Sequence, residues 1–483
     1  MIDDLKHYPD YKESGLPWIG QVPRHWELRQ ARHIGRFFKG VGGTKEDATP
    51  TGVPCVRYGE LYTTYTYFIR ATKSFITENR AVDYMPIQYG DVLFAASGEK
   101  IEEIGKSAVN LMHGAAYCGG DVIILRPNIP AQAPFLGYAL DCRPTTNQKA
   151  TMCRGTTIKH IYPTELKSLF FPLPTLDEQA AIVRFLDWAN GRLDRTILAK
   201  RKRIVLLNEQ KQAIIHRAIT RGINPTVPLK PSGVPWLGEI PKHWDILPLG
   251  RLLAERNEKN DPIKTDNILS LSLHDGVIPY ADKRPGGNKA KDDLTAYKLA
   301  YPGDIVLNSM NVVVGSVGLS KYFGVVSPVY YMLYPRQPND VVEYFDAVFQ
   351  DRAFQSSLFG LGNGIMVIQS KSSGKLNTIR MRIPMTKLNR VEVPHPNHEE
   401  QVAIVEYLAK AKASIDSVID NARRELCLLQ EYRTRLVSDV VTGKLDVRSI
   451  AKDLREESPI TIEEEDSGEL SMEVDEEVVN ADE

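Results

Sequence analysis

The chain has 483 residues, which at roughly 100 to 200 residues per domain means about two to four domains and excludes a single small module. With 42% hydrophobic and 25% charged residues it is neither collagen-like nor disordered throughout. The net charge of −1 conceals two opposed blocks. Residues 451–483 hold fourteen acids against two bases, Lys452 and Arg455, net −12, which leaves 58 bases and 47 acids, net +11, in the body. A basic body suits a polyanionic partner, although excess Lys and Arg scattered over a solvated surface give the same sum. Five cysteines (Cys55, Cys118, Cys142, Cys153, Cys427) form no C-x-x-C pair and sit near no His at zinc-finger spacing, so neither metal nor disulfide is expected. With no signal-like start and no run of eighteen apolar residues, a cytoplasmic chain with no membrane association is expected.

The first feature in chain order is an entry segment, Ser14-Gly-Leu-Pro-Trp-Ile-Gly-Gln-Val-Pro-Arg-His-Trp-Glu27. It returns as Ser232-Gly-Val-Pro-Trp-Leu-Gly-Glu-Ile-Pro-Lys-His-Trp-Asp245, eight of fourteen positions identical at an offset of 218. A variable region of about 28–155 comes next, with strand-like runs such as Asp121-Val-Ile-Ile-Leu125, Gly/Pro turns and short helical stretches, the pattern of a compact mixed α/β domain. Its counterpart at about 246–375 shares only scraps, among them Gly90-Asp-Val-Leu-Phe94 against Gly303-Asp-Ile-Val-Leu307.

Each variable region ends in a proline hinge and a helix start, Pro172-Leu-Pro-Thr-Leu-Asp-Glu-Gln-Ala-Ala-Ile-Val183 and Pro394-His-Pro-Asn-His-Glu-Glu-Gln-Val-Ala-Ile-Val405, offset 222. Thr175 and Asn397 read as N-caps with Glu178 and Glu400 three residues on, a capping box. The apolar positions then keep a 3-4 spacing: Val183, Leu186, Leu193, Ile197, Ile204, Leu207, continuing to Ile214 and Ala218, and again Val405, Leu408, Ile415, Ile419, Leu426, Leu429, continuing to Leu436 and Val440. These are coiled-coil seams of about five heptads, with polar breaks at equivalent places, Asn190 with Lys412 and Lys211 with Arg433, as residues that fix register at some cost in stability would fall. The other reading is a long amphipathic helix packed on its own domain. Some 40 residues at about 1.5 Å each make a rod of roughly 60 Å. The acidic tail past about residue 450, poor in aromatics, reads as disordered.

Catalytic motifs fail on context. Phe38-Lys-Gly40-Val-Gly42 has the F-x-G-x-G form of a methyl-donor loop, but the segment from Thr44 to Pro54 after it is turn-like and no N-P-P-[YFW] or D-P-P-[YFW] tetrapeptide exists. Gly105-Lys-Ser107 lacks the upstream glycine of a P-loop, the position being Lys100; Asp177-Glu-Gln179 is the first turn of a helix; Glu165-x-Lys167 lacks a nuclease partner. His25 and His243 recur beside Trp as packing and hydrogen-bonding groups. Binding is the remaining class. Aromatics interleave with Arg at Arg57-Tyr58…Tyr62 and up to Arg70, Lys100, Lys106 and Arg154 add charge to the same region, and the second region has the basic, Gly-rich loop Lys283, Arg284, Lys289, Lys291, then Lys371. Core tyrosines and a plain solvated loop remain equal readings position by position.

The duplicated P-x-P-x-x-x-E-Q-x-x-I start, the entry segments ending His25-Trp26 and His243-Trp244, and the Gly42-Gly43-Thr44 turn together resemble the specificity subunits of type I DNA restriction-modification enzymes, over about residues 14–447. The resemblance implies an α/β fold: two mixed α/β target recognition domains in pseudo-twofold arrangement, separated by two long helices forming an antiparallel coiled coil. The expected division is 1–160, a first recognition domain; 161–224, hinge and helix; 225–382, a second recognition domain; 383–447, hinge and helix; 448–483, the tail. It further implies a non-catalytic chain in which each domain reads half of a bipartite asymmetric site in double-stranded DNA. The helices would set the spacer and dock two modification subunits for adenine methylation, with restriction subunits joining the complex. No cofactor is expected on this chain; S-adenosylmethionine, ATP and Mg2+ belong to the partner subunits.

Overall fold

The computed structural model describes residues 5–156, 158–272, 275–283, 293–362, 368–369, 376–377 and 382–454. Of the expected acidic tail, 455–483 lies outside these described residues, as do Arg284, Lys289, Lys291 and Lys371, while its first residues form the helix Arg448–Asp453 rather than a disordered segment. Within them the chain forms two compact units. One gathers everything up to Leu198 with the segment from Arg424 onward; the other is Ala199–Arg423.

The first unit is built on a five-stranded sheet of β1 (Gly35–Lys39), β2 (Tyr67–Ile69), β3 (Val92–Ala95), β4 (Ser107–Asn110) and β5 (Val122–Pro127), in the order β1-β5-β3-β4-β2. All neighbours are antiparallel except β4 and β2. The central strands are covered on both faces, which is why their sequence is apolar without alternation. Val92, Phe94, Ile123 and Leu125 face one core, shared with Phe135 and Tyr138 of the helix Ala133–Leu140; Leu93, Ala95, Val122 and Ile124 face another with Val56 and Leu61.

The second unit repeats the plan with β6 (Leu253–Arg256), β7 (Ile305–Asn308), β8 (Val317–Leu319) and β9 (Tyr330–Pro335), in the order β6-β9-β7-β8 and antiparallel throughout. The scrap shared by the two variable regions is the turn into the central strand. Gly90 (φ +87°) and Gly303 (φ +88°) set the turn; Asp91 accepts from Gln88 N at 2.8 Å and Asp304 from Tyr301 N at 2.9 Å. Each buried aspartate is held by a two-pronged arginine, as an unpaired buried carboxylate would be costly. The arginines come from different strands. Arg126 lies on β5, its guanidinium over Phe38 of β1; Arg256 lies on β6, over Tyr334 of β9. Cation and ring have exchanged strands while the pair survives.

Two long helices, Leu176–Arg221 and His398–Val441, pack against each other, as the two seams predict. They run antiparallel, since Asp194 meets Arg433 and Lys211 Nζ meets Asp416 Oδ1 at 2.7 Å. Adding 222 to Asp194 and Lys211 gives Asp416 and Arg433, so one ion pair is made twice, once within each unit. The other polar breaks serve a different purpose. Asn190 Nδ2 donates to Tyr138 Oη at 3.1 Å and Lys412 Nζ to Gln350 Oε1 at 2.6 Å, so both tie a long helix to a shorter one of its own unit.

In the first unit the segment after the second long helix meets the residues before the entry segment. Asp446 N donates to Lys6 O at 2.7 Å, and the helix Arg448–Asp453 buries Ala451. Where each long helix stops, a left-handed glycine lies against an entry tryptophan: Gly222 (φ +70°) against Trp244 and Gly443 (φ +76°) against Trp26. A Cβ at 443 would stand 2.3 Å from Pro23 Cδ; one at 222 would meet nothing closer than the Trp244 ring at 3.2 Å. Gly443→Ala is expected to destabilise the first unit by about 1–3 kcal/mol, with Gly222→Ala the milder change, as read by thermal unfolding followed through tryptophan fluorescence.

Candidate nucleic-acid interface

The repeated hinge motif ties three parts of each unit together. Thr175 Oγ1 accepts from Glu178 N at 3.4 Å and Asn397 Oδ1 from Glu400 N at 2.9 Å, so both caps form as the sequence suggests. The glutamate side chains do not close the expected reciprocal box. They reach the entry segments, Glu178 to His25 Nε2 and Glu400 to His243 Nε2, each at 2.9 Å, because the buried tryptophan corner beside each helix start brings the imidazole there. The glutamine of the motif faces the variable region: Gln179 Oε1 accepts from Gln132 N at 2.9 Å, Gln401 Oε1 from Val341 N at 2.8 Å. Pro-Glu-Gln is thus a fitting that joins entry segment, long helix and variable region, a role that spacing alone does not disclose.

The seam residues are buried or half-buried throughout. Leu186, Ile197, Leu408, Ile415 and Ile419 are buried, while Val183, Leu193, Ile204, Leu207, Val405, Leu426 and Leu429 are half-buried. Leu186 lies in the first unit's core with Leu436 and Val440; Leu408 lies in the second unit's core with Ile215 and Ala218.

Of the candidate DNA-binding residues in the first unit, Tyr58, Tyr62, Lys100 and Arg154 converge on one surface. Tyr62 Oη donates to Ser97 O at 2.7 Å, and Ser97–Gly98 pairs with Lys159–His160, whose backbone also bridges to Arg154. Exposed Tyr58, Ile101, Ile158 and Tyr162 add apolar area, rimmed by Lys100 and by Arg154, which reaches Glu165 at 2.9 Å. His160 Nδ1 lies 2.9 Å from Ser97 Oγ and its ring stacks on Tyr162. Aromatic and apolar groups inside a cationic rim suit a DNA groove. Ser97, Lys159, His160 and Tyr162 are not among the residues the sequence singles out, since their only signal is the pairing of two segments sixty residues apart.

The remaining candidates make other contacts. Arg70 stacks on Phe68 at 5.1 Å. Arg57, half-buried, precedes the helix Tyr58–Thr63, with Nε and Nη2 buried and without hydrogen-bond partners. Lys106 pairs with Asp141 behind Tyr62. In the second unit Lys283 Nζ lies 5.5 Å over the Tyr280 ring. No group of three His, Cys, Asp or Glu among the described residues is arranged to hold a metal, and no described helix is long and apolar enough to cross a membrane. Burial pushes the Cys55 thiol up to about 12.

Each unit is a mixed α/β fold with a buried tryptophan corner beside the start of a long helix. Residues 31–208 match the type I restriction modification DNA specificity domain. A type I restriction enzyme specificity subunit of Methanocaldococcus jannaschii, the putative MjaX subunit, is 24% identical over 460 residues, covering 91% of this chain and 98% of the relative. The MjaVIII specificity subunit of the same organism is 23% identical over 458 residues, again 91% and 98%. A solved chain from a study of complex assembly and conformational transition in the type I R-M system superposes with a TM-score of 0.60 at 17% identity, covering 88% of this chain and 99% of its own, and so shares the fold. The match over residues 31–208 and the shared fold bear out the resemblance read from the repeats.

The second unit anchors its long helix through a titrating contact. His216 Nδ1 lies 3.2 Å from Asp351 Oδ2, and Asp351 also caps the helix Arg352–Ser357 at Phe354 N. The hydrogen bond to Asp351 raises the His216 pKa above 6.5 against the opposing effect of burial. A raised folded-state value means that the stabilisation is complete below the unfolded value near 6.5 and is lost as pH rises through the higher folded one. The melting temperature is therefore expected to fall as pH rises through that window, and His216→Gln to flatten that slope in calorimetric scans.

Proposed function

We propose that this chain is the DNA sequence-specificity subunit of a type I restriction-modification complex and carries no catalysis of its own. Each variable region would read one half of a bipartite, asymmetric site in double-stranded DNA. The long helices would fix the spacing between the halves and dock two modification subunits for adenine methylation, with restriction subunits joining them. S-adenosylmethionine, ATP and Mg2+ would act on those partners. The observation that carries the reading is the duplication itself. The same hinge, the same tryptophan corner and the same interhelical ion pair recur around variable regions that have diverged, as two readers on one frame require. The specificity-domain match and the full-length relatives named as specificity subunits add support. An enzyme that extrudes its target base for methylation can leave sequence selection to such a groove reader.

Exchanging residues 28–155 for the corresponding region of a relative is expected to change one half of the methylated site and leave the other intact; methylome sequencing that finds both halves changed, or neither, overturns the reading. Deleting one heptad within 183–218 is expected to alter the spacer in the same assay or to abolish assembly, and an unchanged spacer in an active complex would count against the helices as a ruler.

A further inference from the structure

The two variable regions share one position at which the same backbone anchor carries different polar side chains. Where the chain leaves β3, Ala95 N donates to Lys106 O at 2.9 Å, and where it leaves β7, Asn308 N donates to Ser316 O at 3.0 Å. Each loop so closed contains a left-handed glycine, Gly105 (φ +67°) or Gly315 (φ +90°). A segment from much later in the chain returns to the start of each loop. Ile161 N donates to Ala96 O and Ile383 N to Ser309 O, both at 2.9 Å, and both isoleucine side chains are buried. These bonds set Ala96 against Ser309 and Ile161 against Ile383. The residue before the buried isoleucine is then His160 in the first unit, half-buried, and Arg382 in the second, exposed. Backbone atoms and the isoleucine make the anchor, so the fold itself does not call for an imidazole or a guanidinium there.

In the first unit the side chain is oriented as well as anchored. Arg154 and His160 exchange both backbone hydrogen bonds, at 2.9 and 2.7 Å, so the loop between them is closed at its base. Ser97 Oγ lies 2.9 Å from His160 Nδ1 and the imidazole stacks on Tyr162, which leaves Nε2 as the polar atom of the other ring edge. Ser97 is itself held. Tyr62 Oη donates to its carbonyl at 2.7 Å, and a Cβ on the next residue, Gly98, would stand 2.7 Å from that same Oη. A side chain whose backbone and second ring nitrogen are already fixed loses little freedom on binding. Phosphates carry no sequence and accept any nearby cation, whereas a base edge demands a donor or acceptor held in one direction. The imidazole offers one hydrogen bond at Nε2. The planar guanidinium of Arg382 offers two in parallel, the form that matches guanine O6 and N7.

We propose that His160 and Arg382 are the equivalent base-reading residues of the two units, one for each half-site. His160 reads a single base edge, with Ser97 as its positioning residue, and Arg382 reads a guanine. The inference rests on the DNA-reading function proposed above and adds to it which side chain in each unit selects a base, and one base that the second half-site contains.

The test uses the full chain assembled with its modification subunits. It reads the methylated motif in cells and, in solution, the affinity for a duplex carrying the mapped site and for each single-base variant of that duplex. Arg382→Ala is expected to relax one position, a G·C pair in the parent motif, with discrimination there falling about 5- to 150-fold and the other positions unchanged. Arg382→Lys is not expected to restore it, because a point charge lacks the two-pronged geometry. His160→Ala is expected to relax one position of the other half by roughly three- to tenfold, the worth of a single hydrogen bond. Ser97→Ala is expected to weaken discrimination at that same position while affinity for unrelated duplex stays at the parent value, which a general loss of folding would not give. Equal weakening on all sequences, with the slope of log affinity against log salt reduced by about one, would make Arg382 a phosphate contact and overturn its assignment. Relaxation of the same half by both alanine substitutions overturns the equivalence of the two positions. A parent complex without sequence preference overturns the DNA-reading function itself; a selective parent whose motif survives both substitutions overturns this inference alone.

Discussion

One carboxylate, present twice, organises this chain. Glu178 and Glu400 sit in the first turn of the long helices, where the helix dipole favours an anion, yet their side chains leave the helix to bind the entry segments through His25 and His243. Each contact closes a loop of more than 150 residues around a variable region, so the two ends of that region are fixed to each other through the frame. The adjacent glutamine adds a second tie, to the backbone at Gln132 or Val341. A region held at its entry, at its exit and at one point between can change its loops without changing how it meets the helix. This is the property a specificity module needs, and it arises from two side-chain ties at one helix start.

Much of that frame was legible in the sequence. The tryptophan corners, the hinges, the seams and their polar breaks all come from exact or near-exact repetition, because positions that touch the same partners in both copies are constrained twice. The variable regions were legible only as a class. Their shared sheet order escapes alignment for a physical reason visible at Asp91 and Asp304: the carboxylate stays, but the arginine that neutralises it comes from β5 in one unit and from β6 in the other. Swapping cation and ring between neighbouring strands preserves the interaction and erases the match. The surface around Ser97 and His160 escaped for a related reason, since two-residue strands carry no periodicity.

The polar breaks in the seams show where sequence reasoning assigned the right positions and an incomplete role. Lys211 and Arg433 meet acids across the helix pair, in keeping with residues that fix register. Exposed or half-exposed pairs of this kind contribute roughly 0–1 kcal/mol each, so their weight lies in register more than in stability. Asn190 and Lys412 turn away from the opposite helix toward Tyr138 and Gln350. A polar residue in a seam can therefore specify which domain rides on the helix as well as which helix lies opposite, and the two uses alternate along the same heptad pattern.

The two copies of the hinge differ in the partners of the glutamate, and the difference traces to the helix Arg448–Asp453. In the second unit Glu400 accepts from His243 and also from Trp244 Nε1 at 3.1 Å, satisfying the buried indole. In the first unit the helix Arg448–Asp453 brings Arg448 within 3.5 Å of Glu178, with its guanidinium over the Tyr8 ring and paired to Asp446. Glu178 then serves His25 and Arg448, and the buried Trp26 Nε1 has no hydrogen-bond partner. Leaving such a donor unmet costs about 1–3 kcal/mol, a debit the second unit avoids. The buried contacts of Val447 and Ala451 and the Arg448–Asp446 pair are what the first unit gains in exchange, and they hold the C-terminal segment against the N-terminal one where the second unit needs no such clasp. In the second unit the long helix and the entry segment it packs against are joined through the peptide chain at Gly222; in the first, the same junction lies between Gly443 and Pro23 and is made without a covalent link. The asymmetry at Glu178 is thus the energetic mark of closing a duplicated architecture with a linear chain.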